Sequence, residues 1–128
     1  MHTAKVALLV EDDSDVAEFI QTWLRDELGL EIAVVEDGTE ALNYLESVHP
    51  SLVIADLDRK HHYGHPPDPT KLKRYLHAHC IPVVWLSAYF TRHDQEDFGY
   101  GDLVSKPFDI DVLLAAIQKN LDNVPQQC

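Results

Sequence analysis

Short apolar runs recur along the chain at Val6–Val10, Glu31–Val35, Ser51–Ala55, Ile81–Leu86 and, more briefly, Leu103–Ser105, and between most of them the apolar residues repeat every three to four positions. A continuous run of this length bounded by polar residues is the pattern of a strand covered on both faces, and the longer period is that of an amphipathic helix. Strand and helix in alternation predict a doubly wound α/β architecture, a parallel sheet with right-handed crossovers and helices on both faces. The first helix takes its cap from Asp13 or Ser14, turns Val16, Phe19, Ile20, Trp23, Leu24 and Leu28 inward and stops at Gly29. Thr39 caps the second, with Ala41, Leu42, Leu45 and Val48 inward; the third runs from Thr70 to His79 and the last from Asp109 to Leu121. A short helix around residues 94–98 makes five. Residues 57–69, rich in Pro and His, fit neither period and read as an irregular loop.

A chain of 128 residues holds one domain with one core, and neither a linker nor an internal repeat divides it. The tail 122–128 is expected to fray. Ten Lys and Arg stand against 22 Asp and Glu, a net charge of −12. A surface that acidic repels phosphate backbones and anionic lipid heads, so direct nucleic-acid and membrane binding are disfavoured and a cation or a basic protein face is the expected partner. The apolar run Val6–Val10 is too short for a leader or a span, which predicts a cytoplasmic protein. Cys80 and Cys128 cannot make a disulfide framework and read as reduced thiols.

Open α/β sheets bind ligands beyond the carboxyl ends of their strands. The residues at those ends are Glu11, Asp12 and Asp13 after the first strand, Asp56 after the third, Ser87 after the fourth and Lys106 after the fifth. Clustered carboxylates repel one another unless a cation sits among them, and a hard ion held by one or two carboxylates plus water is the magnesium arrangement, with manganese as the alternative. Its open positions suit phosphate oxygens. Lys106 and Ser87 add the positive charge and the hydrogen bond that a transferring phosphoryl group requires, and a central carboxylate is itself a nucleophile able to form an aspartyl phosphate. Acids at a helix start are also favoured by its dipole alone. Their coincidence with Asp56 and Lys106 at other strand ends favours the chemical reading. Trp23 and Trp85, at apolar positions, read as core. His61, His62, His65, His77 and His79 lie near one another in sequence without a zinc spacing, and read as a surface whose charge changes near pH 6.5.

The run Leu8-Leu9-Val10-Glu11-Asp12-Asp13, Asp56 at the end of an apolar strand, Leu86-Ser87-Ala88 and Ser105-Lys106-Pro107-Phe108 resemble the signature positions of the two-component response-regulator receiver domain, in order and over nearly the whole chain. The resemblance implies a flavodoxin-like (βα)5 sheet of order 2-1-3-4-5, a single receiver with no output domain, and Asp56 as phosphoacceptor. It implies a magnesium ion bound by Asp12, by Glu11 through water, by Asp56 and by the backbone carbonyl of Asp58. Ser87 would bond a phosphoryl oxygen and Lys106 would pair with Asp56 and then with the phosphate, the Lys106–Pro107 bond being cis. Such a domain takes its phosphoryl group from a histidine kinase or phosphotransfer protein, hydrolyses it slowly, and switches binding to a downstream target; it is not an enzyme acting on a free substrate. Homodimerisation stays open.

The sequence departs from the family at two places. Lys60 stands where a proline is usual, and Leu103 where a switch aromatic is usual. Asp58 and Tyr89 occupy the two positions that tune phosphoryl lifetime, and shielding by Tyr89 predicts a long-lived phosphorylated state. Two other functions compete: a pseudo-receiver scaffold, and a phosphohydrolase with an aspartyl nucleophile, because Asp56-Leu57-Asp58 also gives the Asp-x-Asp of the haloacid-dehalogenase superfamily.

Overall fold

The structure, a computed structural model, describes residues 5–57, 70–88 and 99–122. In chain order its elements are β1 (Val6–Val10), α1 (Ser14–Leu28), β2 (Glu31–Val35), α2 (Gly38–Leu45), β3 (Leu52–Asp56), α3 (Thr70–Ala78), β4 (Val83–Ser87), β5 (Asp102–Ser105) and α4 (Ile110–Asp122). The strands form one parallel sheet in the order β2-β1-β3-β4-β5. Both the doubly wound class and the strand order agree with the sequence reading.

Alternation along the strands divides the core into two layers. Ala7, Leu9, Ile54, Val84 and Leu86 meet Ala17, Ile20 and Leu24 of α1 and Leu113 and Ile117 of α4. Leu8, Val10, Val53, Ala55, Val83 and Trp85 meet Ala41 and Leu45 of α2 and Leu72 and Leu76 of α3. Because Leu9 and Ile54 are fully buried, truncating either of them to alanine costs roughly 2–5 kcal/mol. The strand ends that carry Glu11, Asp56 and Ser87 are thereby held on a rigid frame.

Helix ends follow their capping chemistry. Asp13 has extended backbone and its Oδ1 accepts from the N–H groups of Asp15 and Val16 at 3.0 and 3.3 Å. Gly29, at φ 66°, closes α1 by donating its N–H to Arg25 O at 3.0 Å. The cap of α2 is Asp37, whose Oδ1 accepts from Glu40 N at 2.8 Å; the expected cap, Thr39, lies inside the helix. A carboxylate reaches the third helical N–H better than the shorter hydroxyl two residues on. α3 ends with the N–H of Ile81 bonded to Leu76 O and that of Cys80 to His77 O, which places Cys80 at φ 58°.

Val16 and Phe19 are not inward but 39% and 57% exposed, because the sheet covers only the narrow face of α1 marked by Ala17, Ile20 and Leu24. Trp23 and Leu28 pack at its margin. Cys80 is disulfide-bonded rather than a reduced thiol, since a cysteine count speaks of compartment and says nothing of what a sulfur lies near. The short helix expected around residues 94–98, the loop 58–69, and the terminal 123–128 with Cys128 lie outside the described residues.

Candidate functional site

Parallel pairing brings the carboxyl ends of β1, β3, β4 and β5 to one edge of the sheet. β3 lies between β1 and β4, with Val10 paired to Ala55 and Asp56 paired to Leu86. Asp56 is therefore central, and its side chain is only 4% exposed. The ladder runs past the strand ends on both sides, through Glu11 N to Val35 O at 2.9 Å and Leu57 N to Leu86 O at 2.8 Å. These bonds fix the backbone on which Glu11 and Asp56 stand.

Lys106 reaches across from the end of β5 and donates from Nζ to Asp56 Oδ2 at 2.5 Å, with its own side chain 29% exposed. Its backbone N–H donates to Ser87 O at 2.9 Å, and the Lys106–Pro107 peptide is cis, as the resemblance implied. Ser87 closes β4, pairs with Ser105 and is fully buried. Carboxylate, hydroxyl and ammonium thus stand at the ends of three neighbouring strands.

The three acids after β1 part ways. Asp13 is occupied in capping α1. Glu11 is buried at 5% exposure and hydrogen-bonded to Asp56, while Asp12 is half-buried at the same edge. Burial first, and then the charge of Asp56, push the Glu11 carboxyl from 4.5 up to about 8, against a smaller opposing pull from Lys106; the hydrogen bond to Asp56 and the charge of Asp12 also raise it. The dipole explanation of the acids therefore covers Asp13 and not Glu11.

This donor set fits a hard divalent cation. Among the described residues no three metal-binding side chains already converge. Magnesium does not require that, because it takes one or two carboxylates and keeps several waters. Glu11, Asp12 and Asp56 offer oxygen donors only, and the negative charge that Asp56 and Asp12 bring to bear on Glu11 is what a divalent cation would offset. Asp58 and Tyr89, the remaining expected site residues, lie outside the described residues.

The sequence matches the family model of the response regulator receiver domain over residues 7–118. It is 34% identical over 117 residues to the response regulator Rre1 of Synechocystis sp., covering 89% of this chain and 50% of that protein. To the transcriptional regulatory protein DltR of Streptococcus agalactiae it is 33% identical over 115 residues, covering 87% of this chain and 49% of the relative. The chain thus spans about half the length of the curated relatives it matches. Its fold is similar to that of the signal receiver domain of a signal transduction histidine kinase from Syntrophus aciditrophicus, with a TM-score of 0.76, 28% identity and coverage of 96% of this chain and 94% of that one.

Proposed function

Because the chain belongs to the response regulator receiver family, we propose that it accepts a phosphoryl group on Asp56 in a magnesium-dependent reaction and thereby changes its affinity for a partner. The observation that carries this reading is the buried carboxylate of Asp56, paired with Lys106 and close to buried Glu11. Magnesium held by Glu11, Asp12 and Asp56, with the Asp58 carbonyl, would neutralise the charge of the transferring group.

The chemistry assigned to the chain's own residues is short. A carboxylate oxygen of Asp56 attacks phosphorus in line; the new bond is O–P, the broken one is P–N of a phosphohistidine, and the imidazole leaves with a proton. Lys106 passes from the carboxylate to a phosphoryl oxygen, and the Ser87 hydroxyl donates to another. The acyl phosphate carries about −1.5 to −2 charge in place of the single charge of the carboxylate, spread over three oxygens further out, and this draws Ser87 and Lys106 inward. Strands β4 and β5 then carry the change to the surface. Leu103 at the usual aromatic position leaves the hydroxyl and the lysine to do this.

The donor is a histidine kinase or a phosphotransfer protein, and it approaches over the strand-end edge. Exposed Val16 and Phe19 on α1 and Ile110 at the start of α4 offer apolar contact at that edge. The downstream target is a protein, and the reaction on Asp56 is self-catalysed signalling chemistry rather than turnover of a free substrate. No described helix is long and apolar enough to cross a membrane.

Beryllofluoride, which mimics an acyl phosphate, tests the reading. With magnesium it should perturb the amide NMR signals of Ser87 and Lys106 in the wild type and leave Asp56→Asn unchanged. Identical spectra with and without it would favour the pseudo-receiver scaffold.

A further inference from the structure

The chain carries 22 acids against 10 Lys and Arg, yet α3, of sequence TKLKRYLHA, contains Lys71, Lys73 and Arg74 and no acid. The rest of the molecule is correspondingly more negative, so this one helix is a basic island on an acidic body. Leu72 and Leu76 fix which side of α3 is buried. Lys71, Arg74 and His77, three residues apart, are exposed together on another side.

Helix stability favours a cation at His77 in the last turn but does not account for Lys71. Cations are favoured at the C-terminal end of a helix and disfavoured at its start, where Lys71 sits in the first turn. Nor do ion pairs: among the described residues Lys71 and Arg74 make none. The face is also held firmly. Tyr75 donates its hydroxyl to Leu45 O of α2 at 3.0 Å, and His77 stacks on Tyr100 with ring centroids 4.5 Å apart. Tyr100 in turn donates to Ile81 O, and its own carbonyl accepts from the Trp85 indole, both at 2.9 Å. A rigid surface of this kind loses little entropy when it is bound.

We propose that the exposed basic face of α3, formed by Lys71, Arg74 and His77, is a docking surface for an acidic segment of a partner protein. A nine-residue helix is about 14 Å long, the reach of a few carboxylates on one short peptide. A nucleic acid would extend its phosphates past the helix onto the acidic remainder of the surface, where they are repelled. A second copy of the chain brings a net charge of −12 with it. The proposal is independent of the phosphoacceptor reading, since none of the three residues belongs to the strand-end site.

The test is fluorescence anisotropy of the full chain with a labelled peptide of alternating glutamate and alanine, and with a single-stranded oligonucleotide of equal charge. The peptide should bind the wild type, weaken with salt, and bind K71E/R74E at least about tenfold less tightly. K71Q/R74Q should fall between them, and serves alone if the charge reversal disturbs folding. Phosphoryl uptake at Asp56 should be the same in all three proteins, so loss of docking and loss of the receiver chemistry are distinguishable. Equal peptide binding by wild type and variants would overturn the proposal. So would tighter binding of the oligonucleotide than of the peptide, or a concentration-dependent rise in wild-type mass, abolished by K71E/R74E, without peptide binding.

Discussion

Lys106 Nζ lies 2.5 Å from Asp56 Oδ2, although the two residues are 50 positions apart in the chain. The same lysine is tied through its backbone to Ser87 O. One residue therefore links the proposed nucleophile to the strand that carries the hydroxyl. A change in charge at Asp56 is felt first by Lys106 and next by β4.

Folding stability without metal should fall as pH rises from about 4.5 to about 8. Across that window folded Glu11 keeps a proton that the unfolded chain has lost. The penalty is absent below 4.5, grows through the window and is complete above 8, with a limiting slope of about 1.4 kcal/mol per pH unit. Urea unfolding of wild type and Glu11→Gln at several pH values checks this, and the difference between them should carry the slope.

Magnesium binding should release protons below pH 8, because a carboxyl that stays protonated does not help to hold the ion. Affinity should rise with pH and level off near 8. Calorimetry in two buffers of different ionisation enthalpy reads the proton count directly. In Asp56→Asn the second-largest cause of the Glu11 shift disappears, so fewer protons should be released at neutral pH.

Asp13→Ala should separate the capping acid from the site acids. Its loss leaves the N–H groups of Asp15 and Val16 without their acceptor and costs about 1 kcal/mol of stability. The rate of phosphoryl uptake should change little, whereas Asp12→Ala should lower it strongly under the same conditions. Thermal unfolding and a phosphorylation time course make the comparison.

Phosphoryl lifetime should depend on Tyr89. If its ring shields the acyl phosphate from water, Tyr89→Ala will lose the phosphoryl group several times faster, measured by decay of the phosphorylated mass after removal of donor. An unchanged decay rate would remove the shielding idea and leave Asp58 as the residue that sets it.

Much of this site is legible in the sequence because a parallel sheet collects its strand ends on one edge. Glu11, Asp56, Ser87 and Lys106 each terminate or follow an apolar run, and the topology does the rest. The division of labour among Glu11, Asp12 and Asp13 is less legible, since capping by Asp13 depends on the turn angle after β1 rather than on residue type. Periodicity also places Val16 and Phe19 near the inward side of α1 without saying how wide a face the sheet covers. The clustering of cations on α3 is plain in the sequence, but that Lys71 and Arg74 make no ion pair among the described residues emerges only with the helix in place.

Whether Asp56 is the phosphoacceptor is read from the intact mass of the protein after incubation with magnesium and acetyl phosphate. The wild type should gain one phosphoryl group, Asp56→Asn none, and the wild type none when magnesium is removed before the donor is added. A gain of equal size in Asp56→Asn, or one that persists without magnesium, would contradict this assignment.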